Sequence, residues 1–277
     1  AVVARQNFKW PKSMFNGNET EVMLLNHMAQ AKGGRLTTVW ETTRGCPYSC
    51  AYCDWGGGTG TKILKKDTET LHEELRFMEK MNVQYLEVCD ANFGIFKERD
   101  LAIVDHLIER ANQGWDIQVA FDGKTKSDIE IANTIDRKLI ESKIQYDYDY
   151  HFSVSASDPA INKAINRSAF QTQKQVEFIS KIKDTGYRIR LELIIGLPEA
   201  TLESFYKEYI TIAAADGWLT ERFVWLMLNK SPASKPAYIE KYKIKTVSVK
   251  YPYLRALRQS REDYSPQSAD YKFSIFV

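Results

Sequence analysis

The sequence predicts an α/β fold made of repeated strand–helix units. Six short β-like runs recur along the chain, amphipathic helical patterns fall between them, and polar or glycine-bearing loops mark the joins. The first run is LTTVWET from Leu36, and it leads directly into a cysteine-rich loop. A helix follows from Asp67 or Thr68, with Glu69, Glu73 and Glu74 in its opening turns, where the helix dipole favours acids, and Leu71, Leu75 and Met78 on one stripe. The second strand is VQYLEVCD from Val83, and its helix carries Leu101, Val104, Leu107 and Ile108. The third is WDIQVAF from Trp115, followed by a helix with Ile131 and Ile135. The fourth, YDYHFSVSAS from Tyr148, precedes a helix with Val176, Ile179 and Ile182 that stops at Gly186. The fifth, RIRLELIIGL from Arg188, leads to Leu202, Phe205, Tyr209 and Ile212 before Gly217, and the sixth is RFVWLMLN from Arg222.

Repeated units of this kind demand parallel pairing with right-handed crossovers, as a barrel or as an open doubly wound sheet. The pattern alone does not choose between them. In both, the loops after the strands share one rim, where ligands bind. That rim collects the cysteine loop, DANFGIF, FDGKTK, SASDP, GLPEAT and NKSPASKP. The segment before Leu36 reads as a short helix ending at Gly33 and Gly34, and the segment after Asn229 is rich in Lys, Tyr, Ser and Pro.

With 44% hydrophobic and 27% charged residues in 277, the composition is that of a globular chain large enough to bury a sizeable core. A formal charge of +2 signals no strongly charged partner, so nucleic acid is not indicated. The apolar runs are far shorter than a membrane span, and the N-terminus shows no basic region followed by an apolar one. Clustered thiols fit a reducing compartment, and the expected location is cytoplasmic. The chain begins without Met and stops at KFSIFV in mid-strand, a pattern expected of a fragment.

Three of the four cysteines, Cys46, Cys50 and Cys53, fall inside eight positions in ETTRGCPYSCAYCDWGGG. Thiolates so close in sequence can converge on one soft metal centre, and three of them leave one coordination position open for chemistry. A zinc knuckle would need closure by a fourth ligand; His72 lies on a helix and Cys89 on another strand, so neither completes a compact motif. Cys89 reads as a small buried hydrophobe.

The CxxxCxxC spacing, with Tyr52 directly before the third cysteine and a strand before the first, resembles the signature of the radical S-adenosylmethionine (SAM) superfamily. The resemblance runs from Arg35 to Asn229. It implies a partial (β/α)6 TIM-like barrel over residues 35–230, with a lead-in or linker at 1–34 and a C-terminal extension at 231–277. It further implies a [4Fe-4S] cluster held by Cys46, Cys50 and Cys53, with SAM chelating the remaining iron, and reductive cleavage of SAM to a 5'-deoxyadenosyl radical that abstracts hydrogen from a substrate. An electron donor such as a flavodoxin or ferredoxin is implied with it.

Other site residues follow from the same resemblance. Tyr52 occupies a position that packs near the adenine. Asp90 and Asn92 stand where the family often has a Gly-Gly-Glu segment binding the methionine amino group, and this chain departs from that pattern; the Asp90 carboxylate or a nearby backbone carbonyl is the acceptor left for an ammonium. Ser155 matches a position reaching the SAM ribose or carboxylate, and Arg167 an arginine whose fork suits the carboxylate. Glu192 sits in an apolar run, where a charge is costly unless paired; it serves the site or an ion pair with Arg188 or Arg190. Ile195 and Gly196, with Leu197 and Pro198, resemble the fifth-strand adenine-binding segment. Gly56, Gly57 and Gly58 either wrap the cluster or form a flexible loop. The six Lys between Lys230 and Lys250 read as a solvated face.

The longer phrases RGCPYSCAYCDWGGGTGTK, DANFGIF, ELIIGLPEAT and NKSPASKPAYIEKYKIKT look like the branch whose members commonly carry an upstream cobalamin-binding domain, absent from this chain. Cobalamin-assisted methyl transfer is a reaction that this likeness implies, although no residue here supplies a cobalamin ligand by motif. The competing readings are a non-catalytic zinc or iron-sulfur module and a SAM-binding regulatory scaffold. The sequence leaves the substrate open.

Overall fold

The computed structural model describes residues 19–55, 62–124, 128–146, 149–153, 158–167, 188–214, 219–249 and 271–275. The chain divides into two compact units, Ala1–Gly45 with Lys62–Tyr148 and Cys46–Thr61 with Asp149–Val277. Among the described residues, no helix is long and apolar enough to cross a membrane.

The first unit runs α1 (Glu19–Ala31), β1 (Thr37–Trp40), β2 (Thr43–Arg44), β3 (Leu64–Lys65), α2 (Thr68–Lys80), β4 (Tyr85–Val88), α3 (Lys97–Asn112), β5 (Gln118–Phe121), α4 (Ile129–Ile140) and β6 (Gln145–Tyr146). Its main sheet has the order β1-β4-β5-β6 with parallel pairs throughout, Trp40 facing Val88 and Val88 facing Phe121 in register. Alternation sends Trp40, Leu86, Val88 and Val119 to one buried face. There they meet the stripes expected from the sequence: Leu71, Leu75 and Met78 of α2, Val104 and Leu107 of α3, and Ile131 and Ile135 of α4. The short β2 and β3 form an antiparallel ladder, Thr43 opposite Lys65 and Arg44 opposite Leu64, which joins the chain on either side of residues 46–61.

Helix ends are specified locally. Asp67 caps α2 by accepting from the Thr70 amide at 2.8 Å, a bond that holds its carboxyl below the usual range, and Asp128 caps α4 through the Glu130 and Ile131 amides. At the far end of α2, Asn82 takes φ 54°, and its amide and that of Val83 return to Glu79 and Met78, closing a Schellman turn. Gly123, after β5, is required by close approach: a Cβ there would stand 2.7 Å from the Ala91 carbonyl oxygen.

Glu74, expected from the sequence as a dipole-favoured acid, is instead fully buried. Its carboxylate receives Lys66 Nζ at 2.8 and 2.9 Å and Trp40 Nε1 at 2.6 Å, with both ionic side chains at 0% exposure. The helix rotates this position inward because Leu71, Leu75 and Met78 define the same face. Removing either charge strands the other in the core.

The second unit contains β7 (Asp149–Ser153), α5 (Pro159–Ala164), β8 (Arg188–Ile195), α6 (Leu202–Ala214), β9 (Leu219–Val224), a 3₁₀ turn at Pro232–Ser234, α7 (Pro236–Lys241), β10 (Lys245–Val249) and β11 (Tyr271–Ile275). Here β7-β8-β9 form a parallel sheet and β10-β11 an antiparallel pair. The six runs read from the sequence correspond to β1, β4, β5, β7, β8 and β9. The last lies earlier than expected: Trp225 and Met227 are buried after β9 ends, because their apolarity serves a core cluster rather than a ladder. The helix expected around Val176, Ile179 and Ile182 falls outside the described residues.

Glu74→Ala should destabilise the first unit by about 3–5 kcal/mol in urea denaturation, whereas Lys66→Met combined with Glu74→Leu should recover most of that loss; equal losses would show that the ion pair is not the cause. The rings of His72 and His106 meet edge-on across α2 and α3 at 5.0 Å between centroids. Burial first, then the charge of His72, lowers the His106 pKa, with Arg110 adding to this and Glu109 and Glu79 opposing it. A base with a lowered folded-state pKa contributes stability that is complete above its unfolded value, about 6.5, and lost as pH falls through the folded one. His106→Gln should therefore flatten the decline in melting temperature between about pH 7 and 5; an unchanged slope counts against this assignment.

Candidate functional site

The cysteine loop in the second unit is held by backbone bonds on both sides of one residue. Ala51 donates its N–H to the Ile165 carbonyl at 2.7 Å and accepts from the Ala233 N–H at 2.8 Å. It is 2% exposed, and its methyl group enters a cluster with Ile161, Ile165, Leu197, Trp225 and Ala233. A larger side chain would overfill that space. The amide of Cys53 closes a turn onto the Cys50 carbonyl at 3.1 Å, and Cys46, Cys50 and Cys53 are half-buried and form no disulfide. Among the described residues, no three His, Cys, Asp or Glu side chains are gathered at the separation of a single ion's ligands. Three soft thiols on one anchored loop are the donor type that an iron-sulfur cluster takes.

Tyr52 and Arg167, chosen separately from the sequence, are partners. Arg167 Nη1 donates to the Tyr52 hydroxyl at 2.7 Å, and the arginine is only 8% exposed. The bend that brings it there follows α5, which Asp158 caps through the Ala160 amide. Asn166 takes φ 50°, with its amide on the Lys163 carbonyl and the Arg167 amide on that of Asn162. Its side chain donates to the Ser49 hydroxyl at 2.6 Å and the Ser49 carbonyl at 3.2 Å. Tyr238 on α7 secures the same corner by donating to the Ala164 carbonyl at 2.8 Å, and burial pushes its phenol above the ordinary range, so it stays a donor. The residues from Ser231 to Ile244, within the extension expected from the sequence, thus share a core with the cysteine loop.

Glu192 is half-buried on β8, opposite Ser153 and Glu221 in register, beside an irregularity between Leu191 and Glu192. Ile195 ends the strand with an exposed side chain, its carbonyl accepting from Trp225 N–H at 2.8 Å. Gly196 follows at φ 88°, a conformation in which a side chain would be strained, and Leu197 and Pro198 turn inward. Ser155 and Gly56, Gly57 and Gly58 lie outside the described residues.

Asp90 and Asn92 belong to the first unit. The Asp90 carboxylate is wholly buried and accepts from the amides and hydroxyls of both Thr42 and Thr43. Burial raises its pKa, opposed by those bonds. Arg99 extends the network to the Thr42 carbonyl and hydroxyl and pairs with Asp100, which also accepts from the Gly94 and Phe96 amides. Asn92 is buried, with its carbonyl accepting from Ile95. These bonds commit Asp90 to the exit of β1. Cys89 is half-buried and its thiol is pushed up to about 11, chiefly by burial and then by Glu41, Asp90 and Asp122, so it remains protonated at neutral pH.

Sequence reasoning passed over Thr42, Thr43, Arg99, Asp100 and Asn166. Asn166 alone carried a local signal, an Asn just beyond a short helix.

No protein-family model matches the chain. Over 223 residues it is 33% identical to the cobalamin-dependent radical SAM methyltransferase TokK of Streptomyces tokunonensis, an alignment covering 78% of this chain and 31% of TokK. Over 221 residues it is 33% identical to the 2-(S-pantetheinyl)-carbapenam-3-carboxylate methyltransferase of Streptantibioticus cattleyicolor, covering 77% of this chain and 31% of that protein. The chain thus spans about a third of the length of the curated relatives it matches. Among solved structures, the radical SAM methyltransferase TsrM from Kitasatospora setae, with cobalamin and a [4Fe-4S] cluster bound, aligns at a TM-score of 0.54 and 12% identity over 72% of this chain and 36% of that one. The shared fold is the partial TIM-like barrel type.

Asp90→Asn, which turns one acceptor oxygen into a donor facing Thr42 and Thr43, should cost about 2–4 kcal/mol of stability in chemical denaturation, since buried bonds to a charged acceptor are worth about 1.5–3 kcal/mol each. A change under about 0.5 kcal/mol, the level of an ordinary surface substitution, would refute its role as the organising acceptor.

Proposed function

The chain is related to the radical SAM superfamily, and from that relationship we propose that it is the cluster- and SAM-binding portion of a radical SAM methyltransferase. The observation that carries this reading is the cysteine loop, pinned at Ala51 on both backbone groups with Tyr52 and Arg167 joined beside it. In this reading Cys46, Cys50 and Cys53 hold a [4Fe-4S] cluster. When bound, the cluster supplies the electron that cleaves a carbon–sulfur bond of SAM.

The chain's own residues bind and orient. Arg167 presents a planar fork suited to the carboxylate of SAM, and the Tyr52 hydroxyl fixes the direction of that fork. Ile195 offers an apolar surface for the adenine, Gly196 allows the backbone to turn close beneath it, and Glu192 accepts from hydroxyl or amino donors. Ser155 joins this SAM set by the same resemblance. The fifth-strand assignment is supported by the exposure of Ile195 and the positive φ of Gly196.

Methyl transfer is attached to the full-length protein because both curated relatives bear that activity in their names. Cobalamin enters through TokK and TsrM, and no described residue of this chain is assigned to it. A one-electron donor of the flavodoxin or ferredoxin kind completes the reaction.

Anaerobic reconstitution of the full-length protein with iron and sulfide should give a brown protein that, with SAM and a strong reductant, forms 5'-deoxyadenosine or S-adenosylhomocysteine detectable by mass spectrometry. Cys50→Ala should abolish both cluster uptake and SAM turnover. Binding of a single zinc without SAM affinity, or turnover that survives Cys50→Ala, would overturn the reading.

A further inference from the structure

The corner after α5 does more than end a helix. Three consecutive residues each contact a different residue of the cysteine loop: the Ile165 carbonyl meets the Ala51 amide, the Asn166 side chain meets Ser49, and the Arg167 guanidinium meets Tyr52. An extended or helical backbone at the middle position would not present its neighbours this way. Asn166 instead takes φ 50°, a region that Asn tolerates and β-branched residues avoid. That turn lets Ile165 and Arg167, both buried, face the loop while Asn166 remains at the surface with its amide on Ser49.

We propose that Asn166 is a positioning residue that acts in two separable ways: its left-handed backbone aims Arg167 at Tyr52, and its side-chain amide pins the cysteine loop between Cys46 and Cys50. This rests on the reading of the three cysteines as cluster ligands and of Arg167 as a SAM contact. Neither part of Asn166 touches a reacting atom. The backbone turn controls SAM binding, whereas the amide controls how readily the loop opens and releases iron.

Two variants of the full-length protein separate the roles. Asn166→Gly keeps the left-handed turn and deletes the Ser49 bonds; Asn166→Val keeps a side chain of similar bulk but disfavours the turn. Iron content after anaerobic reconstitution, the rate of iron loss to EDTA, and SAM affinity from the change in the reduced cluster's electron paramagnetic resonance spectrum are measured for each. The Gly variant should bind a full cluster and hold SAM within about twofold of the parent, yet lose iron about three- to tenfold faster, as expected for one or two exposed hydrogen bonds. In the Val variant SAM affinity should fall by about tenfold or more, the strain of a forced left-handed residue being relieved by swinging Arg167 away. Val matching the parent in SAM affinity, Gly losing SAM as severely as Val, or Gly losing iron no faster than the parent would each overturn the proposal. A parent protein that binds no iron would instead sink the cluster reading.

Discussion

Ala51 has both backbone polar groups used and its methyl group enclosed. Its N–H goes to Ile165, its carbonyl receives Ala233, and the side chain is packed under Trp225 and Leu197. Buried backbone groups left unpaired would cost as much as lost hydrogen bonds, so this residue must sit where both partners reach it. The loop on either side inherits that constraint. With Ala51 fixed between Cys50 and Cys53, the thiols and Tyr52 are confined to a narrow range of directions, and the corners contributed by α5 and by Ser231–Ile244 become parts of the site. Preorganisation of this kind lowers the ordering cost that a bound group would otherwise meet.

The first unit spends its buried charges on the same task of fixing loops. Asp90 gathers four donors from Thr42 and Thr43, Asp100 gathers the Gly94 and Phe96 amides, and Arg99 bridges the two groups. Lys66 and Glu74 close the space beneath Trp40. Buried ions like these are weak contributors to net stability, because desolvation offsets much of their attraction. Their value lies in directionality: apolar contacts permit many arrangements at similar energy, while a buried carboxylate with every lone pair used permits few. The carboxyl ends of β1 and β4 are thereby held in one geometry.

Much of this was legible in the chain. The stripes Leu71–Leu75–Met78 and Ile131–Ile135 settle on the buried face of a parallel sheet, Asp67 caps its helix, and α1 ends at Gly33 as its sequence suggests. Each is a local signal, decided by periodicity or by one side chain reaching the nearest amides. Glu74 departs from its local signal for the same reason. Its position near a helix start is local information, but its burial depends on Lys66 reaching it from outside the helix. The run from Arg222 reads as a strand beyond Val224 because apolar runs record burial without saying whether the backbone is laddered, and Trp225 and Met227 are buried after β9 ends.

What the sequence determined by itself is therefore the set of units and the chemical inventory: six strands, their amphipathic helices, and three thiols in one loop beside an aromatic. Spacing along the chain suffices for these, since helix and strand periods and a tight loop act over a few residues. Tertiary structure decided the pairings that span long stretches of chain, Tyr52 with Arg167, Ala51 with Ile165 and Ala233, and Asp90 with Thr42 and Thr43. A polar side chain in sequence carries no record of its partner, because a hydrogen bond is chosen by which donors and acceptors the packed core leaves facing each other.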